Sequence, residues 1–236
     1  MILDKYKTIM KKLSTLFLLL AVTFANAQEH KGFGVSLRTG VSRAIKIPSN
    51  TTFQRKSDLF IPNFGIGVFY DGQIGNGFSC RSQISFLNRS WKNNIVFYPE
   101  YKLPGYPEYY SWEETERVFF ISPEFSFMYQ FGKKQIRPFL QLGIRADIYL
   151  KTQQIREGNF YSNSPKTIWG RSHTFKPANG TAIIGGGVNI RHLSLQVEYN
   201  PTLTSFVNQE VYENTPFYQY GTLRIQTLSF VVGYRF

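Results

Sequence analysis

The chain has 236 residues, with 27 Lys and Arg against 15 Asp and Glu for a formal net charge of +12, and 17% of its residues are aromatic. A single cysteine, Cys80, excludes an intramolecular disulfide framework. Three scattered histidines make no metal motif of recognisable spacing, and no cofactor motif is present. The basic balance suits either nucleic acid or an anionic membrane surface.

The first segment separates those two. From Met10 the chain reads Lys11-Lys12, an apolar run from Leu13 to Phe24, and the small-x-small site Ala25-Asn26-Ala27 before Gln28. These are the parts of a secretory signal peptide over 1–27, with Met10 as a possible true start. The run of about a dozen residues is short of the ~20 that a spanning helix needs. No cysteine follows the cleavage site, so a lipoprotein anchor is not expected. An exported chain has little access to nucleic acid. The leader holds four lysines and one aspartate, a net +3, which leaves +9 on about 209 residues, 28–236, as one β domain.

In chain order, strands are predicted at 33–42, 63–71, 78–88, 117–131, 138–150, 180–190, 193–200 and 221–236, each with a period of two. The fifth is the clearest. Leu140, Leu142, Ile144, Ala146, Ile148 and Leu150 share one face, opposite Gln141, Gly143, Arg145, Asp147 and Tyr149. No amphipathic helix competes. The connections 43–62, 89–116, 151–179 and 201–220 are long, whereas 72–77, 132–137 and 191–192 are short. This alternation predicts an all-β, eight-stranded, antiparallel up-and-down transmembrane β-barrel with four long extracellular loops and three short periplasmic turns.

A soluble barrel has the same period. Lysine distinguishes the two, because after the leader every lysine falls in an expected loop, turn or tail, whereas a solvated sheet face would carry some. The polar face holds small residues and opposite charges, which suit a narrow, filled lumen where charges pair. A lumenal ion network of Arg38, Arg81, Glu124, Arg145, Asp147 and Glu198 is expected. Pro123 and Pro201 each remove a ladder donor, so a bulge is expected at the first and a strand end at the second. The "GGG" at 185–187 lacks the Lys-Ser/Thr of a phosphate loop and reads as close backbone approach or a kink in the wall.

Catalysis is not expected. A serine hydrolase needs histidine within reach of its serine, and the one pairing on the outer side, Ser172 with His173, joins neighbours that point apart on an extended chain. The second long loop carries Trp91, Tyr98, Tyr101, Tyr106, Tyr109, Tyr110 and Trp112, the aromatic material of interfaces. The third is basic and suits the phosphates and acidic sugars of lipopolysaccharide and outer-membrane lipid. Both loops are also consistent with a simple cap on the barrel mouth.

The chain ends on "TLRIQTLSFVVGYRF", where Leu228, Phe230, Val232, Tyr234 and Phe236 form one apolar face. Closure of the sheet removes the edge that such an ending would otherwise expose. The terminal "VVGYRF", with Phe230, Val232, Tyr234 and Phe236, resembles the signal read by the outer-membrane barrel assembly machinery. The chain over about 30–236, including "GFGVSLRTGVS", is similar to the PorT-like small outer-membrane β-barrels of Bacteroidetes. That resemblance implies an outer-membrane location and an association with secretion or gliding machinery. Three functions are therefore weighed, in this order: a non-enzymatic barrel whose loops bind an envelope protein or surface glycan, a small pore, and a lipid-modifying enzyme.

Overall fold

A computed structural model describes residues 32–47, 53–56, 61–97, 110–132, 135–158, 166–169, 176–206 and 222–236. The expected leader, 1–27, and about half of the expected long loops lie outside the described residues. The ten strands are β1 (Gly32–Ile47), β2 (Phe53–Lys56), β3 (Ile61–Gly75), β4 (Phe78–Phe97), β5 (Tyr110–Gln130), β6 (Ile136–Gly158), β7 (Lys166–Trp169), β8 (Ala178–Ile190), β9 (Leu193–Pro201) and β10 (Thr222–Arg235). Eight of them close a ring in the order β1-β3-β4-β5-β6-β8-β9-β10, with β1 paired to β10 and every pairing antiparallel. The two short strands β2 and β7 add to the far ends of β4 and β6.

The polarity is that of a membrane barrel. Phe33, Leu37, Ile66, Leu140, Leu142, Ile144 and Phe236 are exposed on the outer face, while Ser36, Arg38, Gln83, Arg145, Asp147 and Glu198 are buried inside. An aqueous protein would lose this arrangement at once, since apolar surface on that scale is driven out of water. Closure pairs every strand of the ring on both sides, as the bilayer requires.

The β3–β4 turn is tighter than expected, and the two-residue turn at 191–192 is as expected. β3 and β4 meet through Asn76-Gly77, where φ is +125° at Gly75, +50° at Asn76 and +84° at Gly77. Left-handed backbone of this kind suits Asn and Gly. Arg191, with φ of +52°, and His192 join β8 to β9, and residues 131–135 join β5 to β6.

Three expectations need correction. The strands run well beyond their expected ends, β4 to Phe97, β6 to Gly158 and β5 from Tyr110. The ladder continues through Asn94↔Glu113 and Phe97↔Tyr110, where both faces are mixed in polarity and hydropathy gives no period. As a result Lys46, Lys56, Lys92, Lys151 and Lys166 lie in strands. All five sit on the far extensions: the Lys92 ammonium pairs with Glu113, and that of Lys151 lies 4.7 Å from the Phe119 ring centroid. Within the wall nearer the turns, lysine is absent. Finally, Pro123 makes no bulge, for the β5–β6 register is the same at Ile121↔Ile148 and Glu124↔Arg145. The irregularity falls at Phe119/Phe120 instead, while Pro201 does end β9.

The triple glycine does bring backbones together. A Cβ on Gly187 would stand 2.1 Å from the Leu195 carbonyl oxygen, which leaves no room for a side chain. Leu142, at 64% exposure near the middle of the outer band of β6, gives a direct test of the lipid face. Leu142→Arg is expected to destabilise the barrel by roughly 2–4 kcal/mol in bilayers, measured by reversible urea unfolding in lipid vesicles. An unchanged unfolding midpoint would contradict the outward assignment.

Candidate functional site

The strand period places Arg38 of β1, Glu124 of β5 and Glu198 of β9 on the inner face, on three separate parts of the wall. Arg38 donates through Nη1 and Nη2 to Glu124 Oε1 and Oε2, both at 2.9 Å, and Nη2 also lies 3.0 Å from Glu198 Oε2. One guanidinium therefore spans the lumen between two carboxylates. The planar fork suits a bidentate carboxylate in a way that an ammonium does not. Ser85 donates to Glu124 Oε1 at 2.7 Å, and Gln196 donates to Glu198 Oε1 at 2.5 Å.

A second pair of residues, two apart on β6, extends the network. Arg145 Nε is 2.9 Å from Asp147 Oδ1, its Nη1 donates to Asn200 Oδ1 at 2.8 Å, and the same atom lies 4.0 Å from Glu124 Oε1. Asp147 accepts from Ser122 at 2.8 Å and from Thr181 at 2.6 Å, and Arg89 Nη1 stands 3.1 Å from its Oδ2. Arg38, Arg89 and Arg145 thus face Glu124, Asp147 and Glu198, three charges of each sign. Such a balance is what makes ionised groups tolerable when both partners are almost fully buried.

Toward the turns lies a separate group. Asp71 accepts from Arg81 Nε at 2.7 Å and Nη2 at 2.9 Å, and from Arg235 Nη2 at 2.5 Å. Arg81 also donates to Gln196 Oε1 at 3.3 Å, so Gln196 joins this group to Glu198. Toward the far ends the interior becomes apolar. Ala44, Leu87, Trp91, Val118, Phe120, Tyr149, Phe206 and Ile225 form one buried cluster, with the Phe120 and Phe206 rings 5.5 Å apart.

Five of the six expected network residues meet, namely Arg38, Glu124, Arg145, Asp147 and Glu198. Arg81 stands apart with Asp71. Sequence reasoning missed Asp71 and Arg235, which share the inner face by parity at strand ends, and Arg89, which follows Leu87 at the same spacing beyond the expected end of β4. Trp91 is corrected from a loop contact to the interior: it faces inward from β4 and is 1% exposed. Tyr110 and Trp112 belong to β5, and Tyr98, Tyr101, Tyr106 and Tyr109 lie outside the described residues. Phe230, Tyr234 and Phe236 point outward as expected, with Val232 half-buried on the same face. His192 sits in its turn with Nδ1 3.1 Å from the Arg235 carbonyl oxygen, and His30, Ser172 and His173 lie outside the described residues. Among the described residues no group of three or more His, Cys, Asp or Glu has the geometry to hold a metal.

Each lumenal carboxylate of the network already has an arginine and at least one further donor, while Arg38 Nε and Arg89 Nη2 are buried without a hydrogen-bond partner. Arg145→Leu removes one of the two arginines at Asp147 and one cation facing Glu124, which leaves the network one positive charge short. Stranding buried charge in this way is expected to cost about 3–5 kcal/mol. The gel shift between folded and heat-unfolded forms should then occur at a clearly lower temperature, and an unchanged transition would show that the network is dispensable.

No protein-family profile and no curated protein matches the chain. Among solved structures it is similar to the Neisserial surface protein A, NspA, at 15% identity and a TM-score of 0.45 over 88% of this chain and 100% of that one. It is also similar to Ail, the attachment invasion locus protein of Yersinia pestis, at 11% identity and a TM-score of 0.39 over 89% of this chain and 100% of that one. For the E. coli outer membrane protein W the values are 12%, 0.36, 88% and 100%. The likeness to these small outer-membrane β-barrels is one of fold.

Proposed function

We propose that the chain is a non-enzymatic integral outer-membrane protein whose filled barrel is a scaffold for its extracellular loops, and that these bind a partner in the envelope, as in a PorT-like secretion component. The observation that supports this reading is the obstruction of the lumen. Arg38 ties Glu124 to Glu198 across the middle, and Trp91, Phe120 and Phe206 pack above. An eight-stranded barrel is only wide enough for side chains, so a conducting path has no room beside them. The carboxylates of the lumenal network are all engaged by arginine, which speaks against acid/base work by them. The loop segments, richest in aromatic residues over 98–109, carry the side chains suited to a protein or glycan partner.

The test is gentle detergent extraction from outer membranes, native sizing and planar-bilayer recording. An assembly larger than the monomer is expected, lost on combined Tyr101→Ala, Tyr106→Ala and Tyr109→Ala substitution while the heat-dependent gel shift persists. A bare monomer that gives reproducible unitary conductance steps would replace this reading with that of a small pore.

A further inference from the structure

The central network is electrically balanced, and the group nearer the turns is not. Arg81, Arg235 and Arg137 are set against Asp71 alone, an excess of two positive charges. Both oxygens of Asp71 are occupied by Arg81 and Arg235. Arg137, the second residue of β6, lines a cleft with Asp71, Gln73, Phe78, Gln130 and Arg235. Among the described residues no carboxylate pairs with it, and the Nε atoms of Arg137 and Arg235 are both buried without a hydrogen-bond partner. Buried donors are usually satisfied, and here two positive charges stand in excess of the one carboxylate, on half-buried arginines that line one cleft, which suits an anionic ligand.

We infer that this cleft binds a phosphate oxyanion held by Arg137 and Arg235. Guanidinium forks match phosphate oxygens in number and spacing. The repulsion from Asp71 is outweighed by Arg81 and Arg235, which hold it and leave the group net positive. Two sources share this chemistry, a phospholipid headgroup from the leaflet that meets the turns and free inorganic phosphate. Next to the cleft the outer face carries Phe78, Tyr129 and Phe131, whose rings are 4.7 and 4.9 Å apart in sequence of contact. That aromatic surface is where the acyl chains of a headgroup-bound lipid would lie.

The test compares the full chain with Arg137→Gln and with Arg191→Gln, a cation at another turn outside the cleft. Native mass spectrometry would follow retention of phosphatidylglycerol against diacylglycerol from mixed micelles, and the heat-dependent gel shift would follow protection by inorganic phosphate. At least fivefold less phosphatidylglycerol on Arg137→Gln, with Arg191→Gln like the parent, assigns a lipid headgroup. Protection of the parent by phosphate, absent in Arg137→Gln, without selective lipid retention assigns the free anion. Arg137→Lys keeps the charge, loses the fork and should be intermediate in either case. Equal behaviour of Arg137→Gln and the parent with both probes, or equal loss in Arg191→Gln, overturns the proposal.

Discussion

Everything in this molecule depends on the cost of placing charge inside a ring of strands whose outside is lipid. The bilayer requires an apolar outer face, and the strand period then delivers every alternate residue to the interior. An interior of eight strands has no space for bulk water, so polar residues there must satisfy one another. Arg38 meets this requirement by reaching two carboxylates on different parts of the wall, while Asp147 is held by Arg145 from its own strand and by Arg89 from β4. The cross-lumen contacts hold the ring in one shape from within, much as a hydrophobic core holds a soluble domain.

The fold was legible because hydropathy at period two survives wherever one face meets lipid. All eight wall strands were read from it, and so was the face to which Arg38, Arg145, Asp147 and Glu198 belong. Strand ends were not, because beyond the lipid belt both faces of β4, β5 and β6 are polar or mixed and the period vanishes. Arg89 and Trp91 were misplaced for that one reason, though Leu87, Arg89 and Trp91 continue the parity of Arg81 and Gln83. Partner choice was also out of reach. Parity says that Arg81 faces inward but not that it sits at the level of Asp71, which is fixed by the stagger between strands.

The layers along the lumen divide its work. A charged group beside the turns, a balanced network in the middle and an apolar cluster at the far end follow one another, so three kinds of packing secure the same tube. The layers touch through Gln196, between Arg81 and Glu198, and through Arg89, whose guanidinium carbon lies 6.0 Å from the Phe120 ring centroid.

The extended β4–β5 ladder bears on how the aromatic segment is presented. Had the strands stopped where hydropathy fades, residues 89–116 would span the gap as 28 positions with only their ends fixed; with the Phe97↔Tyr110 rung in place, 98–109 leaves 12. By the logarithmic dependence of closure entropy on length, the shorter span saves on the order of 0.7 kcal/mol in bringing its ends together. The ordering of the remaining rungs has already been met by folding of the barrel. The stretch over 98–109 is therefore joined to the wall by a paired ladder that reaches Phe97 and Tyr110.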